Sequence, residues 1–156
     1  MWLDDIPPDI SFSPIERTLQ SQELAYQLKK ESLGPHVSAK WSWDDELQRS
    51  LHGEQIAKRD ILKISLRDEI IGTVAVGLKN ECLQLDDFYI TPALQGQGHG
   101  ARVLEHIQTV ALNIGVPHAL QVLKWNPAVG FYRRCGLYET GETETHFLMC
   151  WQAEQK

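Results

Sequence analysis

Cys82-Leu-Gln-Leu-Asp-Asp-Phe-Tyr-Ile90 is followed by Gln95-Gly96-Gln97-Gly98-His99-Gly100-Ala101 and an apolar-periodic run to Ile114, and these segments set the topology. The first segment is rich in aliphatic and aromatic side chains and predicts a strand ending near Ile90. In the last, Val103, Leu104, Ile107, Val110, Ala111 and Ile114 fall at the three-to-four spacing of one buried helix face. Between them stand three glycines at alternate positions. They free the backbone for close approach, and the helix start leaves several N–H groups unpaired. Such a turn can cradle a diphosphate. A plain connection would gain nothing from three glycines, so a ligand-binding turn is the favoured reading.

Working outward, Gly115-Val-Pro ends the helix and His118-Ala-Leu-Gln-Val-Leu123 follows as a strand. Strand, helix, strand across residues 82–123 implies one parallel crossover. Upstream, Ile61–Leu66 and Ile70–Leu78 are strand-like, with Arg67-Asp-Glu and Lys79-Asn80 as turns, so three strands form an antiparallel meander. Ile10–Ile15 reads as a short first strand. Ser21–Leu33 reads as a helix that Gly34-Pro35 stops. Trp43–Ala57 reads as a second helix, with acids in its first turn where the helix dipole favours them. Downstream, a short helix over Pro127–Cys135 ends at Gly136, and Leu137–Trp151 supplies a last hairpin. The order β-α-α-β-β-β-α-β-α-β-β predicts an α+β fold, a mixed and mostly antiparallel sheet with helices on both faces and one parallel crossover. No repeat or linker divides the chain, and residues 1–156 read as a single domain.

A glycine pattern alone does not name its phosphate. Gly96, Gly98 and Ala101 satisfy G-x-G-x-x-A, yet a dinucleotide site needs an early β-α-β unit and an acid about 20 residues on. Here the turn follows several strands, and no acid occurs between Glu105 and Glu139. A P-loop fails too, since no Gly-Lys-Ser/Thr follows. A second block stands downstream, Asn126-Pro-Ala-Val-Gly-Phe-Tyr132-Arg-Arg-Cys-Gly136. Joined to Ile90-Thr-Pro-Ala-Leu-Gln95-Gly-Gln-Gly98-His-Gly100, it resembles the GNAT superfamily of acyl-CoA-dependent N-acetyltransferases, whose signature is Arg/Gln-x-x-Gly-x-Gly/Ala. The likeness covers residues 60–151 by motif and the N-terminal 60 by element order only.

The resemblance implies acetyl-CoA as co-substrate. Backbone N–H groups of Gln95, Gly96, Gln97, Gly98, His99, Gly100 and Ala101 would bind its pyrophosphate. Main-chain groups of Phe88 and Ile90 would pair with the pantetheine arm, one N–H aimed at the thioester oxygen. Asn126 would contact the cofactor arm, and Tyr132 would protonate the departing thiolate. Gln95 stands where Arg is commoner, so one phosphate contact would lack charge assistance, with Arg102, Arg133 and Arg134 placed to compensate. The family draws its acceptor side from the N-terminal helices and the loop between them. There Trp41, Trp43 and Asp44 combine aromatic faces with a carboxylate, which suits a cationic amine. The plainer role for these residues is helix capping and core packing.

Acetyl transfer to an amine needs a neutral nitrogen, a polarised carbonyl and a proton for the leaving sulfur. A phenol of pKa about 10 can exchange a proton with a basic thiolate, which suits Tyr132. Its plainer role is a core aromatic beside Phe131. Asp86 and Asp87 are the candidate bases, and strand alternation puts them on opposite faces. Cys135 has no evident His partner and reads as packing rather than as a nucleophile. The six histidines are scattered, without H-x-x-H or a Cys/His cluster, and no metal site is expected.

Composition sets the outer bounds. At 42% hydrophobic the chain is too apolar for disorder, and it has no 18-residue apolar run to cross a bilayer. A net charge of −6 argues against nucleic acid as partner. Cys82, Cys135 and Cys150 lie far apart, and the acidic, proline-broken start is unlike a secretory signal, so the expected setting is a reduced, bacterial cytoplasm. Charge is uneven: residues 1–97 carry −6, residues 98–138 carry +3 and residues 139–156 carry −3. The acid-poor window overlaps the expected donor side, where local potential governs anion capture. The activity expected is transfer of acetyl from acetyl-CoA to a primary amine of a small cationic molecule, by direct attack on the thioester. A protein or peptide N-acetyltransferase and a non-catalytic acyl-CoA-binding module on the same fold are the alternatives. Pairing of two copies into a homodimer, through the last hairpin or the acidic face, is compatible with the sequence.

Overall fold

A computed structural model describes residues 9–15, 18–38, 43–58 and 61–152. Strands β1 (Ile10–Pro14), β2 (Ile61–Leu66), β3 (Glu69–Lys79), β4 (Cys82–Ile90), β5 (His118–Leu123), β6 (Tyr138–Glu142) and β7 (His146–Trp151) form one sheet in the order β1-β2-β3-β4-β5-β7-β6. Helices α1 (Leu19–Ser38), α2 (Asp45–Lys58), α3 (His99–Ile114) and α4 (Ala128–Arg134) occupy the expected places in the chain. β4 and β5 run parallel, paired at Leu83–His118 and Gln84–Ala119. The β1–β2, β2–β3, β5–β7 and β6–β7 pairs are antiparallel. The architecture is the mixed, mostly antiparallel α+β sheet with one parallel pair that the element order implies.

Two hairpin turns place the meander. Arg67 and Asp68 join β2 to β3 with φ of 49° and 71°, and Asn80 and Glu81 join β3 to β4 with φ of 52° and 60°. Positive φ at both central residues is the two-residue turn whose twist matches that of the flanking strands. The second turn sits one residue later than Lys79-Asn80.

One boundary differs by more. α1 does not stop at Gly34-Pro35 but runs on to Ser38 with Pro35 inside it. An internal proline costs about 3 kcal/mol, because it loses a backbone bond and crowds the preceding turn. Part of the clash falls on the Cβ of the residue before it, and Gly34 has none. Gly34 is also buried, with Trp43 Cε3 only 3.8 Å from where its Cβ would stand. Packing against the Trp43 ring therefore outweighs the local breaker.

Contacts divide the chain into two compact units. One combines Val76–Asp86 with the chain from Gly98 onward, and its core holds Val103, Leu104 and Ile107 of α3 with Leu83, His118 and Met149. Ile114, expected on the same buried stripe, is exposed on the last turn before the left-handed cap at Gly115. The other unit combines Pro7–Ala75 with Asp87–Gln97, and centres on Ile64, Ile71 and Val74 with Ala25 and Tyr26 of α1.

Candidate functional site

The glycine turn has the conformation its composition demands. A short 3-10 turn over Pro92–Leu94, unmarked in the sequence pattern, leads into it. Gly96 and Gly98 have φ of 78° and 87°, the left-handed region that side chains resist. Gly98 caps α3, and the first helical bond runs from Arg102 N–H to the Gly98 carbonyl at 3.1 Å. The N–H groups of His99, Gly100 and Ala101 therefore precede the helical ladder, at the positive end of the helix dipole. A Cβ built on Gly96 or Gly98 meets nothing within 4 Å, so the space beside the turn is open. Free N–H direction, dipole and room together fit a diphosphate. Gln95 does not share in this. Its N–H donates to the Pro92 carbonyl at 3.3 Å and its side-chain Nε2 to the Ile90 carbonyl at 2.7 Å, so both donors turn inward.

The unit that contains Gln95 also fixes the end of β4. Thr91 N–H donates to the Ile71 carbonyl at 2.8 Å, so Tyr89 and Thr91 present their polar groups to β3 and Phe88 and Ile90 present theirs to the opposite edge. β3 comes very close here. A Cβ on Gly72 would overlap the Tyr89 carbonyl oxygen and lie 3.1 Å from its carbon and 3.2 Å from Ile90 Cα. The signal for this was present in the sequence as an isolated glycine inside a strand run. Of the candidate bases, Asp86 is half-buried on β4. Asp87 continues the strand, and its side chain lies outside the described residues.

The other unit holds the second motif. Tyr132 lies on α4 with 8% of its surface exposed, its ring 5.3 Å from that of Phe131. Burial raises its phenol above the ordinary value, and the neighbouring Cys135 thiol adds to the shift. Asn126 stands two residues before α4, its Oδ1 accepting the Ala128 N–H at 2.9 Å. Gln108, a polar residue on the buried face of α3, donates to the Cys135 carbonyl at 2.9 Å and ties α3 to the end of α4. Burial pushes the Cys135 thiol up, which opposes a nucleophilic role. Arg133 pairs with Glu139 and Lys124 with Glu142 at 2.9 Å, both cations lying over the Phe147 ring. Acids from just beyond the acid-poor window thus fold back on it, and Arg133 is not a spare phosphate ligand.

Of the expected acceptor residues, Trp43 joins a network centred on Tyr26 of α1 and Asp45 of α2. Trp41 lies outside the described residues. Asp44 caps α2, its Oδ1 accepting the Leu47 N–H at 3.1 Å. Trp43 Nε1 donates to Tyr26 Oη at 3.2 Å, and Tyr26 donates to Asp45 Oδ1 at 2.6 Å. Asp45 also pairs with Lys30 at 3.0 Å and Arg49 at 2.9 Å, and Arg49 reaches Glu23 while lying 4.4 Å over the Tyr26 ring. Hydrogen bonds from Tyr26, Arg49 and Lys30 hold the Asp45 carboxyl well below the usual range, and Arg49 with Gln27 holds Glu23 at about 2. Much of the acidic surplus of this region is already neutralised. Among the described residues, no group of His, Cys, Asp or Glu is arranged to hold a metal ion, and no helix is long and apolar enough to cross a membrane.

With this geometry in view, three comparisons are informative. The family model described as the acetyltransferase (GNAT) family matches residues 21–137. Thialysine N-epsilon-acetyltransferase of Mus musculus is 39% identical over 62 residues, which is 38% of this chain and 36% of that protein. The match thus takes in little more than a third of that relative's length. Among solved structures, PaiA N-acetyltransferase from Thermoplasma acidophilum, in complex with coenzyme A, superposes with a TM-score of 0.71 at 16% identity, over 92% of this chain and 99% of that one. The ribosomal-protein-S18-alanine N-acetyltransferase from Escherichia coli gives 0.63 at 17% identity, over 91% and 92%. At such identities the likeness to these structures is one of fold.

Proposed function

Since the chain belongs to the GNAT acetyltransferase family, we propose that residues 1–156 form one domain that transfers an acetyl group from acetyl-CoA to the primary amine of a small basic molecule. The observation that carries this reading is the open, positive-φ glycine turn at the start of α3. Gly96 to Ala101 bind the pyrophosphate through backbone N–H groups, and the main chain of Phe88 with the N–H of Ile90 offers the strand edge to the pantetheine arm. Acetyl-CoA supplies the activated acyl group. Asn126 steadies the cofactor arm, and its bond to Ala128 orients α4, which carries Tyr132 as the proton donor to sulfur. Asp86 or Asp87 takes the proton from the incoming ammonium, directly or through water. The amine attacks the thioester directly; burial raises the Cys135 thiol, which opposes a covalent route through it.

Trp41, Trp43 and Asp44 mark the acceptor side in this reading, through aromatic faces and the residual negative potential of the Asp44 region. The name of the mouse relative gives thialysine as that protein's acceptor, and a lysine-like primary amine is the class proposed here. Free Cys82, Cys135 and Cys150 support a reducing, cytoplasmic setting. The test couples thermal shift with acetyl-CoA to thiol release over a panel of lysine-like amines, polyamines, aminoglycosides and peptides. The expected result is stabilisation together with thiol release driven by a basic small amine. Release with peptides alone would assign a protein acceptor, and stabilisation without release would assign a binding module. Gly98→Ala provides a sharper check of the turn. A Cβ at φ 87° costs about 1–2 kcal/mol, so Gly98→Ala should weaken acetyl-CoA binding by about tenfold in titration calorimetry.

A further inference from the structure

Two side chains from separate parts of one unit converge on a single backbone oxygen. Ser32 Oγ, from α1, donates to the Ile90 carbonyl at 3.1 Å across 58 residues of chain. Gln95 Nε2, from beyond the strand, donates to the same oxygen at 2.7 Å. A carbonyl has two lone pairs and accepts both. On the other side of the same peptide, Thr91 N–H is held by the Ile71 carbonyl at 2.8 Å. The Ile90–Thr91 peptide is therefore fixed at both polar ends. It is the joint where β4 gives way to the 3-10 turn and then to the glycine turn.

Ser32 is unusual in making this bond. A helical serine commonly returns its hydroxyl to the carbonyl one turn back, which satisfies it locally. Here the hydroxyl leaves the helix to hold a strand end. We propose that Ser32 is a positioning residue for the acyl donor, acting through the Ile90 carbonyl to fix the plane of the last β4 peptide and the start of the turn. Gln95 shares that role as a brace rather than as a phosphate ligand. The inference rests on the acyl-CoA reading of the turn and adds to it a residue outside both family motifs.

Ser32→Ala separates positioning from stability, because alanine is the better helix former and should not weaken α1. Loss of one hydrogen bond to the joint should raise KM for acetyl-CoA about fivefold, leaving kcat and the amine KM within about twofold. Ser32→Thr keeps the hydroxyl and should restore the KM. Hydrogen exchange should quicken in peptides covering residues 88–97 and in no other strand. Gln95→Ala should act less than additively with Ser32→Ala, since the two donors share one acceptor. Unchanged exchange over 88–97, or an acetyl-CoA KM that threonine does not rescue, overturns the role of Ser32 alone. Wild-type protein that binds no acetyl-CoA overturns the donor reading itself.

Discussion

Tyr132→Phe should lower kcat by about 10²-fold and leave acetyl-CoA affinity within about twofold, because positioned general acids contribute roughly that much. The substitution keeps the ring, so the packing against Phe131 at 5.3 Å persists and only the phenolic proton is lost. The backbone that aims the ring is well held. The Tyr132 carbonyl accepts the N–H groups of Cys135 at 3.1 Å and Leu137 at 3.0 Å, and Gln108 anchors the Cys135 carbonyl from α3. Burial, followed by the Cys135 thiol, raises the phenol above its ordinary 10.0. A raised acid stays protonated until the pH exceeds its own shifted value, so Tyr132 imposes no alkaline fall in kcat below about pH 10. The acidic limb belongs instead to groups that must lose a proton, the amine and its base. Steady-state kinetics from pH 6 to 10 with calorimetric acetyl-CoA binding measure both parts, and unaltered turnover would return Tyr132 to packing.

Much of this arrangement was legible because the signals were local. Glycines at 96 and 98 announce the turn, which adopts positive φ at both, and the 3.6-residue period from Val103 to Ala111 announces the helix behind it. Period also located β2 through β5, and the Asn126 block located α4. Legibility failed where tertiary contacts overrule local chemistry. Gly34-Pro35 reads as a stop, yet with the Trp43 ring beside Gly34 the helix runs on past it to Ser38. Charge along the chain misled in the same way. Arg133 and Lys124 lie in an acid-poor window, but the β6 strand returns Glu139 and Glu142 to them. Asp44 reads as an invitation to a cation, yet its Oδ1 accepts the Leu47 N–H, and the neighbouring Asp45 is met by Lys30 of α1 and Arg49 of α2. A pattern in sequence counts charges and is silent about which of them meet.

Gly72→Ala should be severely disruptive, lowering stability by about 2–4 kcal/mol and weakening acetyl-CoA binding at least about tenfold. The new Cβ would overlap the Tyr89 carbonyl oxygen, and it meets backbone, which has no rotamer by which to retreat. Relief requires β4 to move away from β3 at Tyr89 and Ile90. That movement strains the Thr91 to Ile71 bond and carries the Ile90 carbonyl away from Ser32 and Gln95. Stability and donor binding are therefore lost together, through the same peptide. Gly77, on the same strand, is the control, since a Cβ there meets nothing within 4 Å. Gly77→Ala removes only the chain entropy of glycine and should be neutral or slightly stabilising. Urea unfolding with acetyl-CoA titration of the two variants decides the matter. If Gly72→Ala matches Gly77→Ala in both, β4 yields freely at Tyr89, and close approach of β3 does not set the strand edge offered to the donor.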